Sequence, residues 1–220
     1  MIPILHRDER IVAVDKPGGL LVHRSDQAPD ETALLQLVRD QVGAFVYPIH
    51  RLDRPASGIV LFALDKEAAA AAQKSLQDDA TEKSYVALVR GATEESFESR
   101  RPLHNDAGRE QKAWTEFRKI TEIAGCSLLD VRLHTGRRHQ IRRHLAHLAH
   151  HIIGDVRYGK GRINQRMRDD YCLPRLFLHA RRLVLTHPTT KEPLRIDSPL
   201  PADLREFLDR LSHAPRPLVV

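Results

Sequence analysis

The stretch that decides the fold is His50-Arg51-Leu52-Asp53-Arg54-Pro55-Ala56-Ser57-Gly58-Ile59-Val60-Leu61-Phe62-Ala63-Leu64. Its second part, Ile59–Leu64, is an unbroken apolar run, too short for a core helix and rich in strand-forming residues. It therefore reads as a strand buried on both faces. Asp65 then N-caps an Ala-rich helix running toward Leu76. The first part is a polar loop that sets one carboxylate, Asp53, between Arg51 and Arg54, followed by the turn residues Pro55 and Gly58. Neighbouring cations favour an ionised carboxyl group. Asp53 can thus serve as nucleophile, general base or electrostatic stabiliser, or it can simply cap its own turn.

Upstream, Ile11–Val14 reads as a short buried strand ending at the turn Lys16-Pro17-Gly18-Gly19. Asp30 is placed to cap a helix over Glu31–Val42, with Leu34, Leu35, Val38 and Val42 on one face and Gly43 ending it. Downstream, Tyr85–Val89 is a strand closed by Gly91, and residues 98–111 form a loop. Trp114–Ile120 and Ser127–Leu133 alternate as half-buried strands do, joined through Gly125. Arg138–Ala149 is a helix, Leu176–Leu185 a strand stopped by His187-Pro188, and Asp203 caps a last helix to Leu211. Strands in runs, not alternating with helices, predict an α+β fold with a mixed, mostly antiparallel sheet and flanking helices. The chain is expected to form one domain over residues 1–212, with a loose tail at 213–220.

The 220 residues carry a net charge of +6, unevenly placed. Residues 1–110 hold 14 basic and 18 acidic side chains; residues 111–220 hold 21 and 11. Of the 35 basic residues 27 are arginine, whose planar fork suits phosphate. An arginine-rich half points to a polyanionic partner, against the alternative of a solvated charged face. The longest apolar run has six residues, far below the ~20 needed to span a membrane. No leader pattern is visible and the only cysteines are Cys126 and Cys172, so a cytoplasmic location without a disulfide scaffold is expected.

Two further stretches are candidates for chemistry. Thr81-Glu82-Lys83-Ser84-Tyr85 opens a strand, with Tyr85 either packing half-buried or lying against a planar substrate. Leu133-His134-Thr135-Gly136-Arg137-Arg138-His139-Gln140-Ile141-Arg142-Arg143-His144 is a turn opening into a helix, where backbone N–H groups and arginines favour anions. So much like charge needs either phosphate or an internal carboxylate to offset it, and Asp53 is the carboxylate nominated. Histidines 139, 144, 147, 150 and 151 have metal-like spacing, but the interleaved arginines repel a dication, so no metal is expected.

Together these three stretches resemble the RluA-type pseudouridine synthases. The resemblance lies in His50-Arg51-Leu52-Asp53…Ser57-Gly58, Lys83…Tyr85…Ala87…Val89…Gly91 and Thr135-Gly136-Arg137…His139-Gln140-Ile141-Arg142…His144. Lys16-Pro17, Ile153-Gly154-Asp155 and Leu178-His179-Ala180 fit as well, so matches run from about Leu5 to Pro199. Ala56, Gly18 and Ile141 depart from the family's usual Thr, Ser and Leu. The resemblance implies a catalytic Asp53 that attacks ribose C1′ or the uracil ring, paired with Arg142, and a Tyr85 that stacks on uracil and leads the carbon-5 proton away. It also implies RNA contacts from Lys16, Arg51, Lys83, Arg137, Arg138, His139 and Arg143. The implied partner is RNA: tRNA at the junction of T stem and acceptor stem, with ribosomal RNA as the alternative. No cofactor, no membrane contact and a monomer are expected. A non-catalytic RNA-binding module is the rival, and the low aromatic content, eleven residues, speaks against single-strand stacking.

Overall fold

The computed structural model describes residues 1–24 and 32–214. In chain order, β1 (Ile4–Arg7) and β2 (Ile11–Lys16) precede α1 (Leu34–Val42), β3 (Tyr47–Pro48), β4 (Ser57–Ala63) and α2 (Lys66–Gln77). Then come β5 (Glu82–Arg90), β6 (Ser96–Ser99), β7 (Leu103–His104), β8 (Glu110–Gln111), β9 (Thr115–Ile123) and β10 (Cys126–Leu133). α3 (Gln140–His147), α4 (Gly161–Tyr171), β11 (Leu178–Thr186), β12 (Pro193–Asp197) and α5 (Ala202–Ser212) follow. The architecture is the expected α+β, with antiparallel ladders at β1–β2, β2–β4, β5–β10, β9–β10, β6–β9 and β11–β12. Within the span expected as one domain the chain forms two compact units, Met1–Lys83 with Ala180–Pro199, and Ser84–His179 with Leu200–Val220.

In the first unit the strand order is β1-β2-β4-β11, with β12 beyond β11 and β3 also on β4. Every residue of β4 is buried, as its unbroken apolar run requires. Ile59, Leu61 and Ala63 share one face with Ile11 and Ala13 of β2, covered by Ala68 and Ala72 of α2 and by Leu183, Leu185 and Ile196. Each fully buried large side chain there contributes about 2–3 kcal/mol. Asp65 caps α2 as expected, its Oδ1 accepting the Ala68 N–H at 2.8 Å. Gly58 makes the close strand contact possible: its φ is +112°, and a Cβ there would lie 2.2 Å from the Ala180 carbonyl oxygen. α1 starts at Leu34, later than expected, with Ala33 at its N-cap; the Asp30 cap lies outside the described residues.

In the second unit the order is β5-β10-β9-β6, and β7 pairs with β8 in a separate two-stranded ribbon. The expected loop at 98–111 therefore contains strand pairing. Val86 and Leu88 of β5 and Cys126 of β10 face α4 and α5 through Met167, Phe177, Leu204, Phe207 and Leu211. α5 is N-capped by Pro201, not Asp203, whose carboxylate is instead taken by Arg175 at 2.6 and 3.1 Å. Of the expected tail, only His213 and Ala214 are described. Among the described residues no helix is long and apolar enough to cross a membrane.

Candidate active site

The loop before β4 is held by main-chain chemistry. The Ala56 N–H donates to Asp53 O at 3.1 Å, closing the turn that carries the carboxylate. The Gly19 N–H donates to Arg54 O at 2.8 Å, and Arg54 Nε donates back to Gly19 O at 3.0 Å. Between these two loops sits Lys16, fully buried at 0% exposure, its Nζ donating to Pro17 O, Leu20 O and Arg54 O at 2.8, 2.8 and 3.1 Å. An ammonium group has three N–H donors, and three carbonyls receive them. The expectation that Lys16 contacts RNA is therefore corrected: its charge is spent inside the fold, fixing the Asp53 loop. Asp53 itself is half-buried, and Arg51 and Arg54 are exposed beside it.

His50, three residues earlier, accepts the Leu61 N–H at Nε2 (3.1 Å), tying the loop to β4. Burial, with a smaller push from the charge of Lys83, lowers its pKa to about 4, so it is a neutral acceptor. Lys83 is half-buried and donates to Leu76 O at the end of α2, 2.9 Å away. Burial lowers the pKa of Lys83 in turn, against the opposing charge of Asp79.

In the second unit Tyr85 lies on β5 opposite Val131 of β10. Alternation puts it on the face away from Val86, Leu88 and the helices packed on them. It is half-buried, which suits a ring with one wet side.

The turn ahead of α3 is organised by Gln140, 3% exposed. Its Oε1 accepts from Thr135 Oγ1 (2.8 Å) and the Arg137 N–H (3.0 Å), while Nε2 donates to Trp114 O (3.0 Å) and Thr115 Oγ1 (2.9 Å). Thr115 Oγ1 meets His144 Nδ1 at 3.0 Å, and His144 Nε2 donates to Arg101 O at 2.9 Å. A carbonyl can only accept, so Nε2 carries a proton. Burial lowers the His144 pKa, with the charges of His147 and Arg143 adding to it and the Arg101 carbonyl opposing.

The arginines expected to hold phosphate face the β7–β8 ribbon. Arg137 Nε donates to Lys112 O (3.0 Å), Arg143 Nη1 to His104 O (3.0 Å), and Arg138 Nη1 to Asp106 Oδ2 (2.5 Å). All three bonds are solvent-exposed, so phosphate can compete for them. His139 takes a left-handed conformation, φ 53°, at the helix N-cap, with Nδ1 3.0 Å from the Tyr158 hydroxyl.

Arg142, by contrast, is buried. Its Nε and Nη2 donate to Asp155 Oδ2 and Oδ1 at 2.7 and 2.9 Å, and its Cζ lies 5.1 Å from the Tyr158 ring centroid. Burial pushes the Asp155 carboxyl up. The Arg142 hydrogen bond and charge, with the amides of Tyr158 and Arg157, outweigh that and hold it below its ordinary value. Sequence reasoning left Asp155 without a role. A signal was present: Asp155 is the one acidic residue between Asp130 and Asp169, in the chain's most basic region.

Among the described residues no cluster of histidine, cysteine and carboxylate side chains has metal-holding geometry. The first unit carries the half-buried Asp53 on its braced loop, and the second carries Tyr85 and the turn and helix of arginines. The sequence matches the RNA pseudouridylate synthase family over residues 10–147, and the chain belongs to that family, in its RluA-type branch. It is an RNA pseudouridine synthase, an isomerase. Relatives called tRNA pseudouridine synthase C are 38% identical in Vibrio cholerae, covering 89% of this chain and 90% of that one. In Haemophilus influenzae the identity is 37%, over 96% and 98%. The solved structure of human RNA Pseudouridylate Synthase Domain Containing 4 superposes with a TM-score of 0.78 at 25% identity, covering 95% of this chain and 92% of its own.

Proposed function

We propose that the protein isomerises a uridine of tRNA, at the junction of T stem and acceptor stem, with Asp53 as nucleophile. The observation that carries the assignment of Asp53 is the bracing of its loop by Lys16, a buried cation that joins the Arg54 carbonyl beside Asp53 to the Pro17–Leu20 turn. The choice of tRNA is supported by the relatives named for that substrate over nine tenths of their length. The target uridine is flipped out of its helix at a cost of a few kcal/mol. Asp53 attacks at ribose C1′ or on the uracil ring, and the bond from C1′ to N1 breaks. The base turns in place, C1′ bonds to carbon 5, the bond to Asp53 breaks to return the free carboxylate, and the proton from carbon 5 leaves as N1 gains one, so the product is an isomer. Tyr85 stacks on the uracil and passes the carbon-5 proton out. Arg142 orients the nucleophile. Arg51, Lys83, Arg137, Arg138, His139 and Arg143 hold the RNA backbone. The enzyme works in the cytoplasm as a monomer, with no cofactor.

RNA tritiated at carbon 5 of uracil tests this reading. Wild type releases tritium from tRNA without added metal, and Asp53→Asn releases none. Full activity of Asp53→Asn removes Asp53 from the mechanism. Release from ribosomal RNA alone refutes the tRNA assignment, and no release from either RNA defeats the catalytic reading.

A further inference from the structure

The loop after α3 is built around a carboxylate that the proposed chemistry leaves unused. Asp155 is 1% exposed and its partner Arg142 5% exposed. Oδ1 of Asp155 accepts three times: from Arg142 Nη2 and from the N–H groups of Arg157 and Tyr158, each at 2.9 Å. Oδ2 is given to Arg142 Nε. The Asp155 carbonyl takes the side-chain N–H of Asn164, whose Oδ1 accepts the Gly154 N–H, so α4 clamps the loop from behind. Gly154 has no room for a side chain: at φ +82° its Cβ would sit 2.2 Å from Arg175 O. Tyr158 lays its ring beside the guanidinium and its hydroxyl on His139.

This construction is not explained by core stability. Desolvating an ion pair cancels most of its attraction, so a buried pair is a poor stabiliser. The loop also adds little apolar burial after Ile153, since Val156 is 80% exposed. What all the contacts share is that they leave the Arg142 guanidinium one orientation. We infer that Asp155 is the positioning residue for Arg142, with the Tyr158 ring as a plate that stops the guanidinium tilting. The inference rests on the proposed role of Arg142 in isomerisation.

Tritium release from tRNA by Asp155→Asn tests it. Asparagine keeps an Oδ1 acceptor for the two loop amides and turns an N–H toward Arg142 Nε, so the loop stays while the clamp opens. The expected result is a kcat roughly 30–100-fold lower, the size of effect a displacement near 1 Å produces, with KM within about twofold. In an Arg142→Lys background, Asp155→Asn is expected to remove less than about threefold more, because its effect passes through the arginine. Tyr158→Leu, which leaves Asp155 intact, is expected to lower kcat roughly 5–10-fold at unchanged KM. A folded Asp155→Asn with wild-type kcat overturns the inference, as does a full penalty in the Arg142→Lys background. If Asp155→Asn does not fold, wild-type kcat in Tyr158→Leu overturns it. An active wild type with indifferent variants refutes the positioning role alone; a wild type that releases no tritium refutes the underlying reading too.

Discussion

Replacing Lys16 by methionine separates two explanations of one residue. A phosphate-contacting lysine, once removed, weakens RNA binding across sequences, lowers the salt slope by about one and leaves the protein's melting temperature alone. A structural lysine does the reverse. Methionine fills the same channel but leaves Pro17 O and Leu20 O without the donor that reaches them, while Arg54 O keeps the Gly19 N–H. Two stranded carbonyls cost about 1–3 kcal/mol each, and relief from burying the ammonium returns part of that. The net loss is about 3 kcal/mol, which for a chain of this size lowers Tm by roughly 6–12 °C. Because Arg54 O belongs to the turn closed by Asp53, kcat falls as well, by up to ~100-fold, while KM stays near its wild-type value. Thermal melts combined with tritium release at several salt concentrations provide both readouts. A Lys16→Met protein that melts within 1–2 °C of wild type but binds RNA more weakly, with a shallower salt slope, refutes the reasoning.

Other consequences are open to measurement. Burial pushes the Asp8 carboxyl up, but the amides of Arg10 and Ile11 with His6 and His187 bring it down to about 2 from 3.8. A depressed carboxyl stabilises the fold above the unfolded pKa and loses that contribution as pH falls through about 2. Asp8→Asn should therefore cost about 1 kcal/mol in urea melts at pH 7, after allowance for solvent screening, and the gap should close toward pH 2. His50 behaves oppositely to an ordinary exposed histidine: its ring should not titrate by NMR between pH 8 and 5. The unfolded chain takes up that proton near 6.5, so stability should decline as pH drops from 6.5 to about 4, by roughly 3 kcal/mol in all. His50→Asn should flatten that slope. Gly58→Ala puts a Cβ against Ala180 O at a backbone angle alanine rarely adopts, so a loss of about 3 kcal/mol or more is expected in denaturant melts.

Much of this was legible because it follows from local rules. Ile59–Leu64 announced a two-sided buried strand by lacking any polar residue, and Asp65 announced a helix because nothing else caps it so well. Asp53 stood out because a carboxylate between two arginines is conspicuous in any context. Other elements left no such trace. α4, Gly161–Tyr171, sets only Ile163, Met167 and Tyr171 on the core among polar neighbours, and its Asn164 clamps another loop, which no sequence pattern displays. β7 and β8 are two residues each, below the length at which alternation can be read. Lys16 was misassigned because its partners are backbone carbonyls, which every residue has and no sequence displays. Asp155 was passed over because its worth depends on which arginine reaches it.

The chain of hydrogen bonds through Gln140 has a direction. Each proton points the same way, from the Gln140 amide to the Thr115 hydroxyl, from that hydroxyl to His144 Nδ1, and from His144 Nε2 to Arg101 O. Reversing any link requires reversing all of them, and the fixed ends, a carbonyl at Arg101 and another at Trp114, do not allow it. The wiring thus admits a single neutral tautomer of the histidine, and a proton added on Nδ1 makes the Thr115 hydroxyl give up its donation to the ring and accept instead. Acid should accordingly loosen the root of the β7–β8 ribbon before it unfolds the strands that carry it.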